Sequence, residues 1–213
     1  MKKIFILLLI TVVGNSAIIF GQNTVLFDSY TSKFREVKTD TIDNDFLRSK
    51  NEIASEFVKL FIKHKPDCGC DIENLWYQYG SIIKSKDFIL CFIYKNCDIP
   101  SSSGNYPYSE IILMVYSPKG EIIDSSIISR GGDLWQANFR GSITPFRLIV
   151  EQASISKKEF EKTKAYPMFC KINTYEYFIT EKGEVKQKII SKDKGTIIWD
   201  KKKNKSLIVK DNN

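Results

Sequence analysis

A chain of 213 residues with 43% hydrophobic and 27% charged side chains has material for one well-buried core. That composition excludes wholesale disorder, and the length is short for two domains. The formal charge of +7 is local: Lys182–Lys210 holds ten lysines against Glu184, Asp193 and Asp200, a surplus of seven, so the remainder is close to neutral.

The chain begins as a targeting segment. Lys2 and Lys3 form a basic head, Ile4–Val13 an apolar run, and Gly14, Asn15 and Ser16 break it. Such a run is too short to span a bilayer but has the length of a secretory signal core. Cleavage is expected after Gly21, or else after Ala17, and the rival reading is an uncleaved anchor over Ile4–Phe20. Residues 1–21 are therefore a signal peptide and 22–213 a single exported domain, periplasmic or extracellular, with no transmembrane span after processing. Loss of Lys2 and Lys3 lowers the charge to +5.

After an irregular or short-strand lead-in over Asn23–Lys38, the aspartates Asp40, Asp43 and Asp45 precede a helix expected at about 44–64. Phe46, Ile53, Phe57, Leu60 and Phe61 repeat at helical spacing, with Asp43 or Asp45 placed to cap the first turn and Pro66 to end it. Strand signals follow at Trp76–Lys84 and Phe88–Tyr94, the second apolar on both faces and so interior, with the helix over one side. A loop is expected over Asn96–Pro107. The strongest local signal is Ile111–Ser129, two β-branched runs around Ser117-Pro118-Lys119-Gly120, where proline presets φ and glycine accepts a left-handed backbone. The same punctuation recurs at Thr180-Glu181-Lys182-Gly183-Glu184. Further strands are expected at Leu134–Arg140, Phe146–Val150, Met168–Thr180, Glu184–Ile190, Thr196–Trp199 and Ser206–Val209, with a polar surface excursion over Gln152–Ala165 that includes a helical turn near Lys157–Lys162. The fold class is mostly β (α+β): an antiparallel meander, as a curled sheet or partial barrel, with one N-terminal amphipathic helix packed on it.

Few residues assemble into chemistry. His64 stands four residues before Cys68 and six before Cys70, but a Cys-Gly-Cys spacing without a second tight pair departs from zinc-site patterns, so no metal or cofactor is expected. No Gly-x-Ser-x-Gly elbow is present. Carboxylates for acid–base work are Asp133, Glu151 and the Asp40, Asp43 and Asp45 group, although a turn and a helix cap account for most of them. Cys97 is placed to bridge to Cys68 or Cys70, while Cys91 and Cys170 sit mid-strand, where they meet across a sheet or stay as buried thiols. Aromatic candidates for a binding face are Trp76, Tyr106, Tyr108 and Trp135, with core packing the competing role for the first three. Lysines at Lys201–Lys203 suit a solvated hairpin tip, and sparse aromatic residues there argue against nucleic acid.

The ending Phe20-Gly21-Gln22 resembles signal peptides of exported Bacteroidota proteins, and the strand–Lys-Gly-Glu–strand layout resembles uncharacterised secreted β proteins of that phylum. The resemblance implies an exported β fold and carries no catalytic residues. The sequence thus reads as a non-catalytic binding or accessory module for a protein, peptide or glycan. The alternative is a small carboxylate-dependent hydrolase acting on envelope polymers.

Overall fold

A computed structural model describes residues 24–37, 39–44, 51–62, 75–99, 106–132, 135–163, 166–202 and 204–211. Eleven strands form one sheet: β1 (Arg35–Glu36), β2 (Thr41–Ile42), β3 (Trp76–Lys84), β4 (Ile89–Ile99), β5 (Tyr106–Tyr116), β6 (Ile122–Gly132), β7 (Trp135–Ser142), β8 (Arg147–Ser154), β9 (Met168–Ile179), β10 (Val185–Asp200) and β11 (Lys205–Lys210). From β3 to β11 each strand pairs antiparallel with the next. β1 adds a short parallel pair on β3, and β2 pairs with β7. The sheet is mixed and is not closed into a barrel. The helices are α1 (24–31), α2 (Ser55–Phe61) and α3 (Lys157–Thr163).

Both Lys-Gly-Glu turns close as their chemistry requires. Gly120 and Gly183 have φ of 87° and 81°. Each donates its N–H to the residue three positions earlier, Ser117 or Thr180, at 2.9 Å. Ser117 and Thr180 in turn donate their own N–H groups to the carbonyls of Glu121 and Glu184.

Strands β3–β5 are covered on both faces. On one, Phe27 and Tyr30 of α1, Phe34, and Phe57 and Phe61 of α2 pack on Tyr79, Ile82, Ile93, Ile112, Met114 and Tyr116. A bulge between Tyr79 and Ile82 switches the parity of β3, so Tyr77, Tyr79 and Ile82 all reach this face. The Tyr116 hydroxyl donates to the Phe61 carbonyl at 2.7 Å, satisfying a carbonyl at the helix end, and accepts from the Tyr30 hydroxyl at 3.3 Å. On the inner face Ile83, Leu90, Phe92, Ile111, Leu113 and Val115 meet Leu148, Val150 and Tyr177 of the second half. A third, smaller cluster joins Ala153, Ile155, Met168, Cys170, Ile172 and Ile197 beneath Phe160 of α3.

Several expectations are corrected. Of the helix expected at about 44–64, the described residues are helical over Ser55–Phe61, and residues 51–53 are instead extended against the edge of β3: Tyr79 donates its N–H to the Asn51 carbonyl and Ile53 donates to Tyr77. Together with β1 this segment covers the β3 edge, which would otherwise stand open. Ala54 occupies the N-cap without a side-chain bond, so Asp43 does not cap α2, and Asp45 and Pro66 lie outside the described residues. Residues 24–31 are helical rather than irregular, because Phe27, Tyr30 and Phe34 form an i, i+3, i+7 stripe aimed at the core. The mostly β sheet with a helix packed on it is as expected, and a second helix, α1, joins α2 on the same face of β3–β5. Loop expectations also shrink, since the β4–β5 ladder runs to Ile99 opposite Tyr106, and Thr196–Trp199 is the far end of a continuous β10 bulged at Ile190.

Candidate functional site

The meander has a seam. Adjacent strands elsewhere share long ladders, but β6 and β7 are paired only at Gly132 and Trp135. Beyond that pair β6 leaves β7 and comes against β8 and β10, and the Gln152 side chain replaces the missing ladder. Its Oε1 accepts from the Arg130 N–H at 2.8 Å and from the Ser129 hydroxyl at 3.1 Å. Its Nε2 donates to the carbonyls of Arg130 and Gln136 at 3.0 and 2.9 Å. A side-chain amide thus does the work of a peptide unit across the gap.

Next to this clamp lies a cleft of about 420 Å³ between β6 and β8–β10, within the range of small-ligand sites. Arg130, Trp135, Asn173, Tyr175 and Gln187 line it beside Gln152. Strand alternation explains the set. On the inner face of β8, Leu148 and Val150 belong to the core and Gln152 continues their row; on β9 Tyr177 and Tyr175 pair with them and Asn173 with Gln152. The apolar interior therefore grades into a polar, aromatic cleft along one face. Burial holds the Tyr177 phenol well above its usual range, so it is a neutral donor or acceptor there.

Arg130 is held from behind. Lys95, Glu110 and Arg130 form a cross-strand row on β4, β5 and β6. Lys95 and Glu110 are each 1% exposed and form a 2.8 Å ion pair. The Tyr108 hydroxyl donates to the other Glu110 oxygen at 2.7 Å and accepts from Arg130 Nε at 3.0 Å. Burial alone would raise the Glu110 carboxyl, but hydrogen bonds from Lys95 and Tyr108 and the charges of Lys95 and Arg130 bring it below its ordinary value. Burial and the neighbouring Glu110 raise the Tyr108 phenol, keeping its proton in place to donate.

Of the aromatic candidates, Tyr108 and Trp135 come together, edge to face at 5.4 Å. Trp135 lines the cleft, whereas Tyr108 is buried behind Arg130. Trp76, half-buried at the start of β3 opposite Asn96, is not among the cleft residues, and Tyr106 opposite Ile99 is placed by its backbone alone. The stretch beginning at Gln152 is not all surface excursion, because Gln152–Ser154 complete β8. The expectation passed over Gln152, Arg130, Asn173 and Gln187. A glutamine two positions beyond Val150 and four beyond Leu148, on their own face, is the available signal.

Of the remaining candidates, those that are described do not line this cleft. Glu151 faces the other side of the sheet, where it pairs with Lys210 at 3.0 Å. Asp133, His64, Cys68 and Cys70 lie outside the described residues. No group of three or more metal-ligating side chains occurs among the described residues. Cys91 and Cys170 are free, in separate clusters, so of the two roles expected for them they take that of buried thiols. Burial raises the Cys91 thiol well above its normal value and the Cys170 thiol to about 11, which keeps both protonated and poorly nucleophilic at neutral pH. Cys97 is buried at the far end of β4 and is not a free thiol.

No family model matches the chain, and comparisons with curated proteins and with solved structures found no match. The chemistry of the cleft must speak for itself. It offers planar amides, aromatic rings and one guanidinium, and no carboxylate lines it among the described residues. The described lining presents hydrogen-bond donors and acceptors together with aromatic faces.

Proposed function

We propose that the chain is an exported, non-catalytic binding module of the periplasm or cell surface that takes a polar ligand, a glycan by preference over a peptide or protein, into the cleft at the β6–β7 seam. The observation that carries this reading is the lining of that cleft: amide side chains that hydrogen-bond hydroxyls and rings that stack on sugar faces, set on strands rather than loops. Export rests on the basic head and apolar run before Gly21, and on the resemblance of the Phe20-Gly21-Gln22 ending to Bacteroidota signal peptides. Within the proposal Cys97 is bridged to Cys68 or Cys70, the two partners left once Cys91 and Cys170 are free thiols.

The test uses the secreted protein. Isothermal titration with soluble envelope oligosaccharides is expected to show saturable binding that Trp135→Ala weakens while the protein stays folded by circular dichroism, with no release of reducing ends. Reducing ends that accumulate with wild type and vanish with Glu151→Gln would establish the hydrolase instead. Mass spectrometry of the same sample should give an N-terminus at Gln22 and a peptide linking Cys97 to the Cys68–Cys70 segment.

A further inference from the structure

The Arg130 guanidinium is half exposed, with a side-chain exposure of 51%. Its Nε is fixed on the Tyr108 hydroxyl, and Glu110 stands 3.7 Å away. Glu110 does not need the arginine to be neutralised, because one oxygen already holds the Lys95 ammonium and the other the Tyr108 hydroxyl. The terminal amino groups of Arg130 form no hydrogen bond among the described residues. A guanidinium fixed at Nε and open at its outer edge is a fork whose geometry suits a planar two-oxygen acceptor. No carboxylate of the chain occupies the cleft among its described lining residues, and Gln187, Asn173 and Trp135 stand around the same space.

We propose that Arg130 is the anion-recognising residue of the cleft, that it takes the carboxylate of an acidic sugar, and that Tyr108, Glu110 and Lys95 are positioning residues that hold its fork. The inference rests on the cleft being the binding site and narrows its ligand to carboxylate-bearing glycans. Lys95 and Glu110 make the buried charge pattern rigid, and Tyr108 passes that rigidity to Arg130 through one hydroxyl.

Three probes test it, each as the free acid and as its methyl ester: trigalacturonic acid, a hyaluronan tetrasaccharide and a disaccharide of N-acetylmuramic acid. At least one acid is expected to bind the full secreted chain tenfold or more tighter than its ester, roughly what one charge-assisted hydrogen bond supplies. Arg130→Gln should erase that preference, so that acid and ester bind within about twofold of each other. Arg130→Lys should restore only part of it, since a point charge lacks the fork, and Tyr108→Phe should reduce it without altering ester binding. Equal binding of acid and ester overturns the inference and leaves the cleft reading standing. An acid preference that survives Arg130→Gln also overturns it and moves the charge recognition to the lysines of β10–β11. Failure of every acid and every ester to bind sinks both readings together.

Discussion

Strands β4 and β5 bury both faces for most of their length, whereas β10, which is longer than either, buries only Ile197 and Gly195 among its sixteen residues. The first half of the sheet is held by aromatic rings from two helices on one side and by the second half on the other. The second half carries exposed Phe169, Ile198 and Val209 next to its lysines. One continuous meander therefore contains a rigid half and a lightly packed half, and the cleft lies where they meet. A site at such a border can hold its polar groups by the firm side, as Glu110 holds Tyr108 and Arg130, while the other side remains accessible to ligand.

Substitutions can break this contrast, and the largest effect belongs to the inner core. Phe92, fully buried between the halves, should cost about 3–5 kcal/mol on change to alanine. Urea unfolding measures it, and a loss below about 1 kcal/mol would mean that the halves do not share a core. Glu110→Ala comes next, at about 3 kcal/mol, because Lys95 is left buried without its partner. This effect depends on pH with a definite sign. The folded carboxyl titrates below its unfolded value of about 4.3, so the stabilisation is whole above that pH and drains away as pH falls through the folded value. Wild type and variant should differ most at pH 7, and the difference should shrink as pH falls below about 4.3. Gln152→Ala removes the seam clamp at a cost of about 1–3 kcal/mol and should speed hydrogen exchange at the Arg130 amide more than at Leu113. Equal protection at both amides would show that the seam is not a weak line. The smallest change is Val209→Ala on β11, expected to move stability by less than about 0.5 kcal/mol; a larger loss would place β11 in a packed layer.

Much of the rigid half is legible locally. The run Phe88–Tyr94 announces a strand buried on two faces, and Pro118 and Gly120 specify their turn without help from distant residues. The misreadings have a common physical source. Ile53 has helical spacing to Phe57 and Phe61, yet its backbone bonds to Tyr77, twenty-four positions on, and that partner is invisible in a local window. The helix at 24–31 was obscured because Val25 and Leu26, the first apolar residues met there, face water while Phe27 and Tyr30 do the packing. The site is half legible: Tyr108 and Trp135 stand out as aromatic residues and alternation puts Gln152 on the core face, but its partner Arg130, twenty-two positions back, lies outside a local window.

β11 is the last strand in the sheet order, so one row of its backbone amides and carbonyls has no neighbouring strand among the described residues. An unpaired row of that kind invites another molecule to continue the ladder. Here the hairpin that ends in it holds the chain's whole surplus of positive charge, and two copies approaching rim to rim meet repulsion before they meet hydrogen bonds. Solubility is in that sense electrostatic. At about 1 M salt, where charges act over only about 3 Å, the guard is lowered and light scattering should register the first self-association.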